Sequence, residues 1–471
     1  MESYLEFILN NEIIGTKSNP ANVLLDFIRK EKHLTGTKEV CKEGDCGACA
    51  VLVGTLTGNG MVYKSVNSCI LPLRNVAGKH IVTIEGLNNN ELSPIQKSFA
   101  DEGASQCGFC TPGFIVSTTN YFLNETKPNL AEAIDSIGGN VCRCTGYNSI
   151  KKAVGNLIDE KYLERDLSKN KIEELIRLNI LPDYFATIEE RLKLLKDNNS
   201  VSEENNFENI VGGGTDLFVQ KPDTMLKTKN RYVADNHKSI YQDNDKILIS
   251  ASGTINDLRN SEIFNNTFSE LDNFYNLFAS HLIRNTATVG GNIVNASPIG
   301  DSSILFLTLN ATLLISSKEE KKEINLRNFY KGYKNIALEK GEIVEQIILD
   351  IPNQKPLLNF EKVSKRKHLD IASVNTAIAL TIDNNIIKSA SISAGGVSPV
   401  PLYLKNTSEF LSGKTISNKT VLDAIEIMLT EISPISDIRG SKEYKTLLLS
   451  QLIKAHFIKL FPNQITFEVL K

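Results

Sequence analysis

Followed from its start, the chain places apolar residues first at every second position and later at every third or fourth. In YLEFILNNEIIG, Leu5, Phe7 and Leu9 alternate with other residues, Asn10-Asn11 interrupts, and Ile13 and Ile14 resume, which predicts two strands joined by a tight turn. After Asn19-Pro20, Val23, Leu24, Phe27 and Ile28 fall on one helical face. A hairpin followed by a helix suggests a small β-grasp domain, closed near Leu87 by the strand-like ACAVLVG and KHIVTIEGL. From Ser93 to about Leu163 the period becomes helical. Ser93-Pro94 and Thr111-Pro112 start two helices, Leu130 to Ile137 marks a third stopped by Gly138-Gly139, and Ile150, Val154 and Ile158 mark a fourth. Beyond a Lys/Glu/Asp-rich stretch over 159–176, read as a solvated linker or an exposed helix, FENIVGGGTDLFVQK predicts strand, glycine turn, then strand or short helix. TATVGGNIVNASPIGD predicts a second glycine turn, KDNNSVSEENNFEN a loop, IIKSASISAGGVSP a strand and VLDAIEIMLTEI a helix.

All eight cysteines of the 471 residues precede Thr145, in two quartets. Cys41, Cys46, Cys49 and Cys69 have the C-x4-C-x2-C…C spacing of plant-type 2Fe-2S ferredoxins, and Gly44 and Gly47 let the loop curl with N–H groups toward sulfur. Cys107 and Cys110 fall between the first two predicted helices, Cys142 and Cys144 between the last two, so a four-helix bundle brings both pairs to one end. Taken alone, the second quartet also suits zinc; next to the first, a second cluster gives the first an electron partner. GGGTD and VGGNI fit backbone approach to a pyrophosphate or ordinary connections, and neither is G-x-G-x-x-G.

Composition narrows the classes further. At 41% hydrophobic and 23% charged residues with a net charge of −3, the chain reads as globular, with no electrostatic case for nucleic acid or an anionic membrane as partner. The start, MESYLEFILNNE, does not read as a signal peptide, and thiolates need a reducing compartment, so the cytoplasm is expected. The length suggests about three domains.

Together LTGTKEVCKEGDCGACAV, GASQCGFCTPGFIVS, GGNVCRCTGYNSIKKAV, IVGGGTDLFV, ATVGGNIVNASPIGD and ISDIRGSKEY resemble the ordered motifs of the xanthine dehydrogenase family of molybdenum hydroxylases. Iron–sulfur and flavin portions in one chain without a molybdenum domain resemble the bacterial small subunit. The resemblance implies an α+β multidomain fold: a β-grasp ferredoxin-like 2Fe-2S domain over 1–88, a four-helix 2Fe-2S domain over 89–163, a linker over 164–179, a two-subdomain α+β FAD-binding domain of the vanillyl-alcohol-oxidase type over 180–353, and a C-terminal α+β domain like the CO dehydrogenase flavoprotein over 354–471. It implies one cluster on Cys41, Cys46, Cys49 and Cys69, and another on Cys107, Cys110, Cys142 and Cys144. FAD contacts map onto Gly212, Gly213, Gly214, Thr215, Asp216, Phe278, Thr288, Gly290, Gly291, Asn292, Asp301, Val344 and Lys362, and Gln106 onto a residue near the partner's molybdopterin.

The function implied is electron transfer from the molybdenum cofactor of a large subunit through two 2Fe-2S clusters to FAD and then NAD, during oxidation of hypoxanthine or xanthine to urate, in a heterotetramer of two small and two large subunits. No side chain of this chain is then required as a catalytic acid or base. The other readings are the same role in an aldehyde or N-heterocycle hydroxylase, and a stand-alone iron–sulfur/flavin carrier or redox sensor. Two positions depart from the family pattern: Asn148 stands where arginine is common, and Lys367-His368-Leu369 where acidic residues are common, which bears on the choice of NAD as acceptor. Tyr333 resembles a nicotinamide-side tyrosine.

Overall fold

The computed structural model describes residues 4–159, 171–195, 207–233, 239–318 and 320–466. Positions 164–170 of the expected linker and 196–206 of the expected polar loop lie outside them. The chain separates into two compact units, residues 1–233 with 280–286, and residues 234–279 with 287–471.

The first unit begins with a five-stranded sheet. Its strands are β1 (Leu5–Leu9), β2 (Glu12–Thr16), β3 (Ala50–Thr57), β4 (Gly60–Asn67) and β5 (His80–Val82), in the order β2-β1-β5-β3-β4. Asn10 takes a positive φ of 53° in the β1–β2 turn, a conformation that asparagine tolerates better than most residues. Strand β5 runs parallel to β1 and antiparallel to β3. The helical residues 24–31 bury Leu24, Leu25, Phe27 and Ile28.

Four helices follow: α1 (Pro94–Asp101), α2 (Thr111–Asn124), α3 (Leu130–Ser136) and α4 (Asn148–Asp159). Ser93 and Gln96 form a capping box at the start of α1, so the N-terminal signal in the sequence is realised atom by atom. Ile95 and Phe99 of α1, Phe114 and Ile115 of α2, and Ile150, Val154 and Leu157 of α4 share one core. The same core takes in Leu175 of the helix Lys171–Arg177 together with Ile180, Leu181 and Phe185. The described part of the expected linker therefore packs into this core, and the residues that follow it extend the contact, with Tyr184 Oη donating to Gly86 O at 2.8 Å and Arg191 bonding Asn11.

In the second unit, one sheet joins Ile240–Asp243, Lys246–Ser250, Thr312–Ser316, Lys321–Asn325 and Ile343–Asp350, all through antiparallel pairs. Helices α5 (Val289–Val294) and α6 (Asp301–Thr308) precede its third strand in sequence. VGGNI is the first turn of α5 rather than a loop, because Thr288 Oγ1 accepts from Gly291 N and caps it. The remainder is a sheet of β6 (Leu357–Val363), β7 (Val374–Asp383), β8 (Ile386–Gly395) and the short Leu402–Tyr403, packed against helices Lys405–Leu411, Asn418–Glu431 and Lys442–Leu460. No helix among the described residues is long and apolar enough to cross a membrane.

Candidate functional site

Cys41, Cys46 and Cys49 lie on the loop that enters β3, and Cys69 on the short turn Ser68–Ile70 that leaves β4. Because β3 and β4 are paired from Ala50–Asn67 onward, the sheet brings the loop and the turn together. Asn67, a buried residue at the end of β4, donates from Nδ2 to Gly44 O at 2.7 Å, and Ser68 Oγ donates to Cys49 O at 2.7 Å. The four sulfurs interact directly. Hydrogen bonds from Cys46 and Cys69 hold the Cys41 thiol well below its ordinary range, and one from Cys69 lowers Cys49 against its burial. The donors Cys46 and Cys69 are pushed up in turn, Cys69 by both thiolates. Four adjoining cysteine sulfurs, of which Cys41 and Cys49 are held toward the thiolate, form an all-sulfur donor set that suits iron–sulfur chemistry.

The second quartet is assembled at one end of the helical bundle. Cys110 is the residue immediately before α2, and Cys107 precedes it in the α1–α2 turn; Cys142 and Cys144 lie between α3 and α4. Cys144 Sγ approaches Cys107 Sγ at 3.6 Å, while Cys110 is pushed up to about 12 by burial and by its hydrogen bond with Cys142. Burial raises Cys142, yet hydrogen bonds from the Thr145 side chain and backbone outweigh it and the net direction is down. Tyr147 Oη accepts from Cys142 N at 3.1 Å. Cys107, Cys144 and Gln106 are exposed, beside the exposed Phe109 and Val141. Among the described residues no three His, Cys, Asp or Glu side chains gather round one metal-ion position. A two-iron cluster takes two sulfurs at each iron; the second quartet displays two such pairs, Cys107 with Cys144 and Cys110 with Cys142, while in the first the contacts run from Cys46 through Cys41 and Cys69 to Cys49.

The two cysteine loops meet. Val141 N donates to Cys46 O at 2.9 Å, and Asn140 Nδ2 donates to Gly47 O at 3.0 Å. Gly47 has φ +67°, and a Cβ there would lie 2.5 Å from Gly139 O, so glycine is required both by conformation and by the close approach. On its other side the first quartet packs against the glycine loop. Gly212 to Asp216 follow the strand Asn209–Val211 and precede the helix Leu217–Gln220. Cys49, Cys69, Ile70, Val211 and Phe218 form one apolar cluster, Gly212 O accepts from Asn75 Nδ2 at 2.9 Å, and a Cβ on Gly214 (φ +79°) would stand 3.3 Å from Ile70 O. Helical quartet, sheet quartet and glycine loop are therefore contiguous within the first unit.

The other expected flavin residues belong to the second unit. Thr288 caps α5, and Gly290 packs against Ala251, where a Cβ would lie 2.6 Å from the Ala251 Cβ. The amides there are already used: Val289 N bonds Gly253 O, Gly290 N bonds Ala251 O, and Gly291 N bonds Thr288 Oγ1. Gly290 is thus closely packed, and the N–H groups of Val289, Gly290 and Gly291 donate within the chain. Phe278 is buried against Phe274, and Val344 is buried in the larger sheet opposite Ile315. Asp301 begins α6 and pairs with Lys362 Nζ at 2.7 Å; Lys362 also donates to Leu277 O at 2.8 Å. Two buried acceptors, Asn292 Oδ1 and Asn375 Oδ1, have no donor among the described residues, which fits a region built to receive a polar group. Tyr333 is 68% exposed, and Lys365, Arg366, Lys367 and His368 form an exposed basic loop braced by Arg366 N to Asp370 Oδ2 at 2.8 Å.

Sequence reasoning missed Asn67, Asn140, Thr145 and Asn375, all of which act through hydrogen bonds. Only Asn375 left a local signal, as an asparagine inside the strand pattern VNTAIAL, where that residue type is depleted.

Comparison with known proteins gives three family matches: the [2Fe-2S] binding domain over residues 83–155, the FAD binding domain in molybdopterin dehydrogenase over 185–353, and the CO dehydrogenase flavoprotein C-terminal domain over 360–460. A xanthine dehydrogenase of Emericella nidulans is 29% identical, covering 89% of this chain and 36% of its own length. Aldehyde oxidase 1 of Macaca fascicularis is 26% identical, covering 96% of this chain and 39% of its own length. The chain thus spans about two fifths of the length of these curated relatives. A solved carbon monoxide dehydrogenase from Hydrogenophaga pseudoflava, 22% identical with a TM-score of 0.50, covers 54% of this chain and 89% of its own and shares the fold of that part. With those domains in that order, the chain carries the iron–sulfur and FAD-binding portions of a molybdenum hydroxylase, similar to those of xanthine dehydrogenases and aldehyde oxidases.

Proposed function

We propose that this chain is the electron-transfer part of a xanthine dehydrogenase. It would carry two 2Fe-2S clusters and FAD, work with a molybdenum-cofactor-binding large subunit in a heterotetramer, and deliver electrons to NAD as hypoxanthine and xanthine are oxidised to urate. The observation that carries the reading is the contiguity of the two quartets and the glycine loop, with Val141 N on Cys46 O at one junction and Ile70 against Gly214 at the other. When bound, the clusters pass single electrons and FAD pairs them for hydride transfer. The chain's own residues hold, space and desolvate. Cys41, Cys46, Cys49 and Cys69 would hold one cluster and Cys107, Cys110, Cys142 and Cys144 the other, with the exposed Cys107, Cys144 and Gln106 on the side open to a partner. Glu43 N and Cys41 Sγ, 3.4 Å apart, illustrate how backbone amides face sulfur, a contact that stabilises added negative charge. The residues proposed to contact FAD are Phe278, Thr288, Gly290, Gly291, Asn292, Asp301, Val344 and Lys362 in the second unit, and Gly212 to Asp216 in the first.

The test is to isolate the tagged chain anaerobically from its own host and add xanthine and NAD. Loss of cluster and flavin absorbance together with NADH formation supports the proposal. Loss of absorbance without NADH moves the acceptor, to which the basic Lys365–His368 loop already draws attention. Bound molybdenum with no response to xanthine moves the substrate to an aldehyde or N-heterocycle, and a pure chain that never carries molybdenum leaves a stand-alone carrier.

A further inference from the structure

We infer that Asn375 is a positioning residue for the flavin pocket, setting the Asp301 carboxylate and through it the Lys362 ammonium; the inference rests on the assignment of Asp301 and Lys362 to FAD. Lys362 on β6 and Asn375 on β7 are direct register partners, so both side chains leave the same face of the sheet. Asp301, at the start of α6, is bonded by both. Lys362 Nζ donates to its Oδ2 at 2.7 Å, and Asn375 Nδ2 donates to its Oδ1 at 2.5 Å and to Ile299 O at 3.2 Å. Each carboxylate oxygen therefore has its own donor, and the carboxylate is held from turning both oxygens to the ammonium.

The site is nearly dry: the Lys362 side chain is 2% exposed, that of Asp301 12%, and Asn375 is fully buried. In such surroundings a donor that fixes a carboxylate also fixes its counter-charge, because little water competes. The neighbouring strand is shaped around this amide. Gly395 on β8 is the register partner of Asn375, and a Cβ there would fall 2.1 Å from Asn375 Oδ1 and 2.9 Å from Pro298 O. An asparagine serving only to tie the sheet to the 298–301 segment would be expected to satisfy both ends of its amide. Asn375 instead commits its N–H group to Asp301 and Ile299 and leaves a buried carbonyl oxygen without a donor among the described residues.

The experiment strips FAD from the purified chain and titrates it back by flavin fluorescence, alongside the flavin midpoint potential and circular-dichroism melting. Asn375→Ser, Asn375→Thr, Asp301→Asn and the double variant Asn375→Ser/Asp301→Asn are compared with the parent. The Asn375 variants are expected to weaken FAD about tenfold and to shift the flavin potential, the loss of a hydrogen bond to a charged group having that size. The double variant is expected to be no worse than Asp301→Asn alone, because Asn375 acts through Asp301. Additive losses, or a folded Asn375 variant with unchanged FAD affinity and potential, overturn the assignment. Threonine, a good strand former that cannot span the same distance, supplies the measurement where serine destabilises β7. A parent chain that takes up no FAD overturns the flavin reading itself, and the assignment with it.

Discussion

The carbonyl of Cys46 accepts a hydrogen bond from the amide of Val141 at 2.9 Å, so a cysteine of one quartet is one peptide away from Cys142 of the other. This junction depends on Gly47, whose positive φ and contact with Gly139 exclude a side chain. Gly47→Ala must place an L-residue in the left-handed region and push Cβ into a backbone oxygen, which together cost about 2–4 kcal/mol. We expect the first unit to melt at lower temperature and, with the two proposed clusters bound and reduced, their magnetic interaction to weaken. Native melting and native cluster coupling in the Gly47→Ala variant would show that the contact is incidental.

With one cluster on each quartet, as proposed, Cys110→Ser separates the two functionally. Serine keeps the cap position before α2 but removes one sulfur from the bundle's end, where Cys110 meets Cys142. Iron content is expected to fall from about four to about two atoms per chain, with one paramagnetic signal lost and that of the other cluster retained. Under the proposed function, purine-dependent NADH formation should disappear as well. Persistence of NADH formation with only one cluster present would rule out a linear relay.

Protonation of two buried histidines gives a pH dependence. Burial, reinforced by Arg191 and offset by the bond to Asn10 O, lowers His80 to about 4; burial and then Lys459 lower His456 to about 3. Both lie below the ordinary value near 6.5, so the unfolded chain binds protons that the folded chain refuses. Stability present above pH 6.5 is therefore lost as pH falls through the window from 6.5 toward 4 and 3, at about 1.4 kcal/mol per histidine per pH unit. His456→Leu should flatten the dependence by one proton, read from urea unfolding at pH 7, 6, 5 and 4. Asn359, which donates to His456 Nδ1, keeps its bond to Glu361 in that variant. An unchanged slope would mean that His456 is not neutral in the folded protein.

The cysteine sites are legible in the sequence because their chemistry is carried by residue type and spacing, and the helices between them by caps such as Ser93-Pro94 and by the spacing of Ile150 and Val154. What joins the quartets is not, since Asn140 and Gly47 are 93 residues apart and nothing local marks either as a partner of the other. VGGNI reads as a turn for a physical reason: glycine pairs usually break helices, but here Thr288 supplies the cap and Ala251 leaves no room for larger residues. The segment 171–181 is ambiguous because its charged residues hide Leu175, Ile180 and Leu181, whose partners lie in the helical bundle.

The ion pair of Asp301 and Lys362 predicts an asymmetry. Removing one member of a buried pair strands the other, at a cost of about 3–5 kcal/mol when nothing else compensates. Asp301→Asn leaves the Lys362 ammonium, 2% exposed, with Leu277 O as a neutral acceptor in place of a carboxylate. Lys362→Met leaves Asp301 with the Asn375 amide at 2.5 Å, at the start of α6, where the helix dipole favours negative charge. Asp301→Asn should thus destabilise the FAD-free chain by about 3 kcal/mol and Lys362→Met by less, measured by denaturant unfolding at neutral pH. In the double variant the cost should fall below that of Asp301→Asn alone, because the stranded charge is gone. If Lys362→Met proved the more damaging change, the charge requiring compensation in this pocket would be the carboxylate, and the role given to Asn375 as its fixed donor would have to be abandoned.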